Sequence, residues 1–186
     1  MTERSAAELR DEARLIEAAK RDRKAFEALY DRYFDQIYSY CFYHTSRREE
    51  AEDLASETFQ RALEGLPDFE WRGIPYSAWL YKVASNLMAK QRRHPAWIAL
   101  PEPISGPAED DPERRWLKRE QGDELHAAVR RLPVDQRQAV LLKFEARLKN
   151  REIGDIMGRS EGAVKLLLFR AVHGLRRRMT SPEKKR

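Results

Sequence analysis

Five of the nine prolines in this chain fall within "HPAWIALPEPISGPAEDDPE", residues 94–113. Each proline removes a backbone donor and blocks the interior of a helix. Each also pushes the residue before it toward extended backbone. Gly106 and the acids Glu109, Asp110 and Asp111 lie in the same stretch. No regular element runs through such a segment, so it reads as an extended tether. The 186 residues therefore divide into two halves. The expected boundaries are 1–94, a linker at 95–113, a second unit at 114–180 and a frayed, disordered tail at 181–186.

Both halves carry helical periodicity. Leu9, Ala13, Ile16 and Ala19 recur at helical spacing, as do Phe26, Leu29, Tyr30, Tyr33, Phe34, Ile37, Tyr38, Cys41 and Phe42. "RREEAEDLASETFQRAL" puts Ala51, Leu54, Ala55, Thr58, Phe59 and Ala62 on one face. "SAWLYKVASNLMAKQRRH" offers Trp79, Leu80, Val83, Leu87 and Met88 as an apolar stripe. No stretch alternates with period two. The predicted fold is all-α: two small helical domains joined by a Pro-rich linker.

The last of these helices frames the functional question. In "GAVKLLLFRAV", residues 162–172, Val164, Leu168, Ala171 and, one turn on, Leu175 fall on one face. Lys165, Leu166, Phe169 and Arg170 fall on the other. Before it comes a short helix with Ile153 and Ile156, a small Gly154 for a close crossing, and a turn at Met157-Gly158. This is a helix-turn-helix pattern, with Ser160 placed to cap the second helix. Such a helix fits a major groove: basic side chains take phosphates or guanine edges, and apolar ones meet thymine methyls. Arg176 and Arg177 extend the positive face for the phosphate backbone. The same pattern also fits a helical hairpin with a solvated basic face. A net charge of +5 permits nucleic-acid binding without requiring it.

Other classes find little support. Cys41 is the single cysteine, so no internal disulfide forms and a reducing cytoplasm fits. His44, His94, His126 and His173 are scattered. There is no nucleophile–base pair, no phosphate-cradling glycine loop and no metal-ligand cluster. Neither an enzyme nor a cofactor is expected. No apolar run reaches membrane-spanning length, and the N-terminus lacks a signal-peptide core. Residues 1–20 read as an amphipathic helix.

Four segments taken in order resemble a known family, the extracytoplasmic-function (ECF) sigma factors of the sigma-70 family. "AFEALYDRYFDQIYSYCFY" is similar to its region 2.1, and "EEAEDLASETFQRAL" to region 2.2. "YSAWLYKVASNLMAKQRRH" resembles regions 2.3 and 2.4. "LPVDQRQAVLLKFEARLKNREIGDIMGRSEGAVKLLLFRAVHGLRRRM" resembles region 4. The resemblance implies an alternative sigma factor that binds core RNA polymerase at its clamp and flap. It would recognise the minus-35 and minus-10 elements of promoter DNA and stabilise the melted strand.

The resemblance also implies roles for single residues. Asp53, Ser56 and Glu57 would contact polymerase. Phe69, Trp71 and Tyr76 would stack on bases of the minus-10 element, with Trp79, Lys82 and Asn86 lining the strand path and Arg92 and Arg93 on the backbone. Ser160, Lys165, Leu166, Phe169 and Arg170 would meet the minus-35 element. An anti-sigma factor is implied as a further partner. The chain departs from the family pattern at Ser56, often Gln, and at Leu166, often Ser. Arg147 stands for a frequent turn Gly, and Lys149 for a frequent Ser cap, which makes Asn150 the expected cap. Two other readings remain open on the residues alone: a helix-turn-helix regulator that acts without polymerase, and a helical adaptor that binds only proteins.

Overall fold

A computed structural model of the chain describes residues 6–71, 73–91 and 125–180. The expected linker, Arg92, Arg93 and the tail lie outside these residues, as does Arg72. All regular structure among the described residues is helical. The order is α1 (Ala6–Arg21), α2 (Arg23–Thr45), α3 (Arg48–Gly65), α4 (Tyr76–Gln91), α5 (residues 125–130), α6 (Val134–Phe144), α7 (Asn150–Met157) and α8 (Glu161–Thr180).

Helices α1–α4 pack around one stripe of α2. Phe26, Leu29, Tyr33, Ile37, Tyr40 and Cys41 are buried along it. α1 contributes Ile16 and Ala19, so the N-terminal amphipathic stretch does join this unit. Asp22 starts α2 by accepting the Lys24 N–H at 2.9 Å, a cap worth about 1 kcal/mol. Ser46 ends it in the left-handed region, at φ 60°, its N–H bonded to the Phe42 carbonyl at 2.8 Å. In α3 the six residues Ala51, Leu54, Ala55, Thr58, Phe59 and Ala62 are all buried. Thr58 goes inside because its hydroxyl donates to the Leu54 carbonyl at 2.6 Å, which satisfies the only polar group it carries inward. Phe59 lies against Phe26, Tyr30 and Phe34.

The rotation of α4 differs from the sequence expectation. Tyr76, Leu80, Tyr81, Ala84, Leu87 and Met88 are buried, whereas Trp79 and Val83 are half-buried at the edge of the core. Two tyrosines set this rotation. Tyr81 meets Tyr40 edge-on at 5.0 Å. Tyr76 packs on Tyr33 at 6.0 Å.

In the second unit, Pro133 caps α6 and accepts the Arg137 N–H at 2.9 Å. Its missing donor falls where no helical partner exists. The expected cap of α7 is corrected. Lys149 holds the cap position, with extended backbone, and Asn150 is the first helical residue. The Glu152 carboxylate reaches back to accept the Lys149 N–H at 2.7 Å. That contact is half of a capping box and removes the need for a Ser or Asn side chain. Arg147 sits in the left-handed region at φ 55°, where a side chain costs roughly 1–2 kcal/mol.

The helix-turn-helix is held by Ile153, Ile156, Val164 and Ala171, all buried. Gly158 turns the chain at φ 64°. Gly154 is needed for contact: a Cβ there would lie 2.6 Å from the Arg159 carbonyl oxygen. Backbone cannot retreat as a flexible side chain can. We expect Gly154→Ala to destabilise the chain by about 1–3 kcal/mol. Gly162→Ala meets nothing within 4 Å and should stabilise by up to about 1 kcal/mol. Urea unfolding midpoints compare the two, and equal midpoints would contradict the close crossing.

Candidate nucleic-acid interface

The apolar side of α8 fixes what its other side offers. Val164 and Ala171 are fully buried, with Leu168 and Leu175 half-buried beside them. Lys165, Leu166, Phe169 and Arg170 then face outward together. Phe169 is 69% exposed and Leu166 47%. An isolated exposed apolar residue is ordinary, but this pair sits between two cations on the middle of one helix. Ser160 is exposed and accepts the Ala163 N–H at 3.2 Å, so it caps the helix. Arg176 and Arg177 continue the exposed face toward the C-terminus.

One feature of this face escaped the sequence reading. Lys165 pairs with Glu161 one turn earlier, at 2.9 Å. The Lys165 hydrogen bond and charge hold the Glu161 carboxyl below its usual range. The pair is solvent-exposed and therefore weak, so a phosphate can displace Glu161 at little cost. The (i, i+4) spacing of Glu161 and Lys165 is the signal that reveals it.

The second cluster lies on α4 and the loop before it. Lys82 and Asn86 are exposed one turn apart, on the face opposite the buried tyrosines. Trp79 leans on Phe69, with ring centroids 4.9 Å apart, and on Tyr76 at 5.3 Å. Gly65 makes room for that ring, since a Cβ there would come within 3.3 Å of Trp79. Phe69, Trp71 and Trp79 are each half-buried, which leaves an aromatic edge open beside a cation and a carboxamide. Tyr76 is a correction. It is 0% exposed, enclosed by Tyr33, Phe69 and Trp79, and so is not open for stacking on a base. Burial, Tyr33 and Glu12 push its phenol pKa well up. Arg92 and Arg93 lie outside the described residues.

The third cluster is the outer face of α3. Asp53 and Ser56 are exposed and Glu57 partly so. Arg61 binds the Glu57 carboxylate through two nitrogens, at 2.7 and 3.1 Å. This neutralises part of the acidic face, a detail the sequence reading missed although the (i, i+4) spacing shows it. Among the described residues no group of His, Cys, Asp and Glu could hold a metal, and no helix is long and apolar enough to cross a membrane. Cys41 is buried, and its surroundings push the thiol pKa up to about 12, so it is inert.

Residues 29–98 match the family description "Sigma-70 region 2" and residues 122–172 match "Sigma-70, region 4". The chain is 38% identical to the ECF RNA polymerase sigma factor BldN of Streptomyces coelicolor over 90% of its own length and 66% of that relative's. It is 32% identical to the RNA polymerase sigma factor YlaC of Bacillus subtilis, over 85% of this chain and 94% of YlaC. The chain belongs to the ECF sigma factors. It is thus an alternative sigma factor, which directs promoter recognition at transcription initiation. Two solved structures share the fold. CnrH in complex with the cytosolic domain of CnrY aligns with a TM-score of 0.68 at 19% identity, over 90% of this chain and 96% of that one. RpoE in complex with the anti-sigma factor NepR, from Bartonella quintana, gives 0.71 at 20%, over 86% and 99%.

The arrangement of α8 makes a direct prediction. Phe169→Ala should change the thermal stability of this sigma factor by less than about 0.5 kcal/mol. Val164→Ala, on the buried face, should cost about 2 kcal/mol. Thermal unfolding of both variants checks which face is core, and a reversal of the order would contradict it.

Proposed function

We propose that the two faces work in sequence on promoter DNA, with α8 reading duplex and α4 holding the opened strand. Lys165, Leu166, Phe169 and Arg170 would enter the major groove of the minus-35 element. There the cations take phosphate or guanine edges, and the apolar pair meets thymine methyls. The observation that carries this is the exposure of Phe169 and Leu166, flanked by Lys165 and Arg170, which no other helix among the described residues covers. Ser160 would add a backbone contact at the helix N-terminus, and Arg176 and Arg177 would track the phosphates.

On α4, Asn86 would read the edge of an unstacked base and Lys82 would hold phosphate. Phe69, Trp71 and Trp79 would supply π-faces for bases of the minus-10 element. Arg92 and Arg93 would follow the duplex upstream. Asp53, Ser56 and Glu57 would dock on core RNA polymerase. Residues 1–94 and 114–180 would act as the two working domains, with 95–113 spanning the distance between promoter elements. The work is binding, with no bond made or broken by this chain, and it would take place in the cytoplasm with the polymerase. An anti-sigma factor would cover the same faces in the inactive state.

Run-off transcription from genomic fragments tests this reading, with purified core polymerase with and without the chain. New start sites that depend on the protein and share upstream motifs are expected. On such a promoter, Lys165→Ala or Arg170→Ala should lower output about tenfold, since a good base contact is worth about 1–3 kcal/mol. Asn86→Ala should impair promoter opening. Wild-type output from all three variants would show that the residues are assigned wrongly. Specific duplex binding without polymerase dependence would favour a simple helix-turn-helix regulator.

A further inference from the structure

The four histidines are scattered along the sequence, but the fold gives one of them a place. His173 follows Val164 by nine residues, about two and a half turns of α8. It therefore points almost directly away from the buried Val164, and it is exposed. Its ring lies against that of Phe169 one turn earlier, with centroids 6.3 Å apart and planes at 33°. Arg170, three residues before it, and Arg176 and Arg177, three and four after, are exposed beside it. The middle of the outward face is thus an imidazole set among three guanidiniums and a phenyl ring.

The charged groups of the elements packed on α8 are engaged elsewhere. On α6, Asp135 binds Arg159, Arg137 donates to the Arg130 carbonyl and Lys143 to the Leu148 carbonyl. On α7, Glu152 accepts the Lys149 N–H and Asp155 lines a cleft with Lys82 of α4. Arg151 acts on Glu161, which lies at the far end of α8. Among the described residues, the charged neighbours of His173 are the arginines of its own helix.

The inference rests on the reading of α8 as the helix that meets duplex. His173 lies eight residues past Lys165, about 12 Å along the axis. A major groove is about 12 Å wide, and base edges are met by the first turns of such a helix. With Lys165 and Leu166 over the bases, His173 has reached the wall of the groove, which is phosphate. We propose that His173 is a further DNA contact, a phosphate ligand that grips only when its imidazole carries a proton. Imidazole is the side chain that ordinarily changes charge between pH 5 and 8. A phosphate beside the ring favours the charged form, so binding takes up a proton. Affinity is then highest at low pH and falls as the pH rises. The Phe169 ring already restrains the imidazole, so less rotamer freedom is lost on contact.

Holoenzyme reconstituted with the full chain tests this on a fluorescein-labelled promoter fragment found by run-off. Anisotropy gives the affinity at about pH 6 and about pH 8 over a salt series. The ratio of variant to wild type at each pH cancels the titration of the polymerase itself. His173→Gln keeps a neutral polar side chain. It should match wild type at the higher pH and bind several-fold more weakly at the lower. His173→Arg fixes the charge. It should match wild type at the lower pH and bind several-fold more tightly at the higher. One phosphate contact changes the slope of log affinity against log salt by about 0.9. The wild-type slope should exceed that of His173→Gln by about this much at the lower pH and equal it at the higher. Wild-type affinity for both variants at both pH values would overturn the proposal. So would a His173→Gln loss that is the same at both, the mark of a neutral contact. Arg170→Ala separates the proposal from the reading beneath it. Weaker binding by Arg170→Ala beside indifferent His173 variants would remove the proton-dependent contact alone. Unchanged binding by all three would remove the duplex assignment as well.

Discussion

The enclosure of Tyr76 governs the first unit. Its ring meets Tyr33 of α2, Phe69 of the loop and Trp79 of its own helix. Tyr33 in turn donates its hydroxyl to the buried Glu12 of α1. One aromatic side chain thereby ties α1, α2, the loop and α4 together. It also fixes the rotation of α4. With Tyr76, Leu80, Ala84 and Leu87 turned inward, Lys82 and Asn86 have only the outside to face. The polar face of α4 follows from where its large rings are buried.

The same reasoning explains what was legible in the sequence. The buried face of α3 is readable residue by residue, because small and apolar side chains repeat there against a mostly charged outer face. The two faces of α8 were equally clear, since Val164 and Ala171 alternate with Lys165 and Arg170 at helical spacing. Helical spacing puts Trp79 and Val83 in the stripe of α4 and leaves Tyr81 out, whereas the structure buries Tyr81 and holds the other two at the edge of the core. Ten of the sixteen side chains in that helix are apolar or aromatic, too many for periodicity to choose the rotation; contacts with Tyr33 and Tyr40 choose it. The family resemblance of the preceding loop implies a base-stacking role for Tyr76, but an aromatic residue there suits a core as well as a base, and the structure buries it.

Other features carry no local pattern. The cap of α7 depends on a glutamate that reaches back three residues, and its carboxylate does the work expected of Asn150. The seam between halves joins Ser85 to Gln138 across the linker. Two ordinary polar residues that far apart announce nothing, and only the fold brings them within 3.1 Å. The sequence showed two helical units and their outward faces; the contact of α7 with α4 came from the structure alone.

The central claim is a division of labour, in which one face reads duplex and the other holds a melted strand. Permanganate and nuclease footprinting of the polymerase complex on a promoter found by run-off tests it most directly. The account predicts two protected patches, with permanganate-reactive thymines only at the downstream one. That reactivity should be lost with Asn86→Ala while upstream protection persists. A single protected patch with no reactive thymines would contradict it and leave α4 without a role in strand opening.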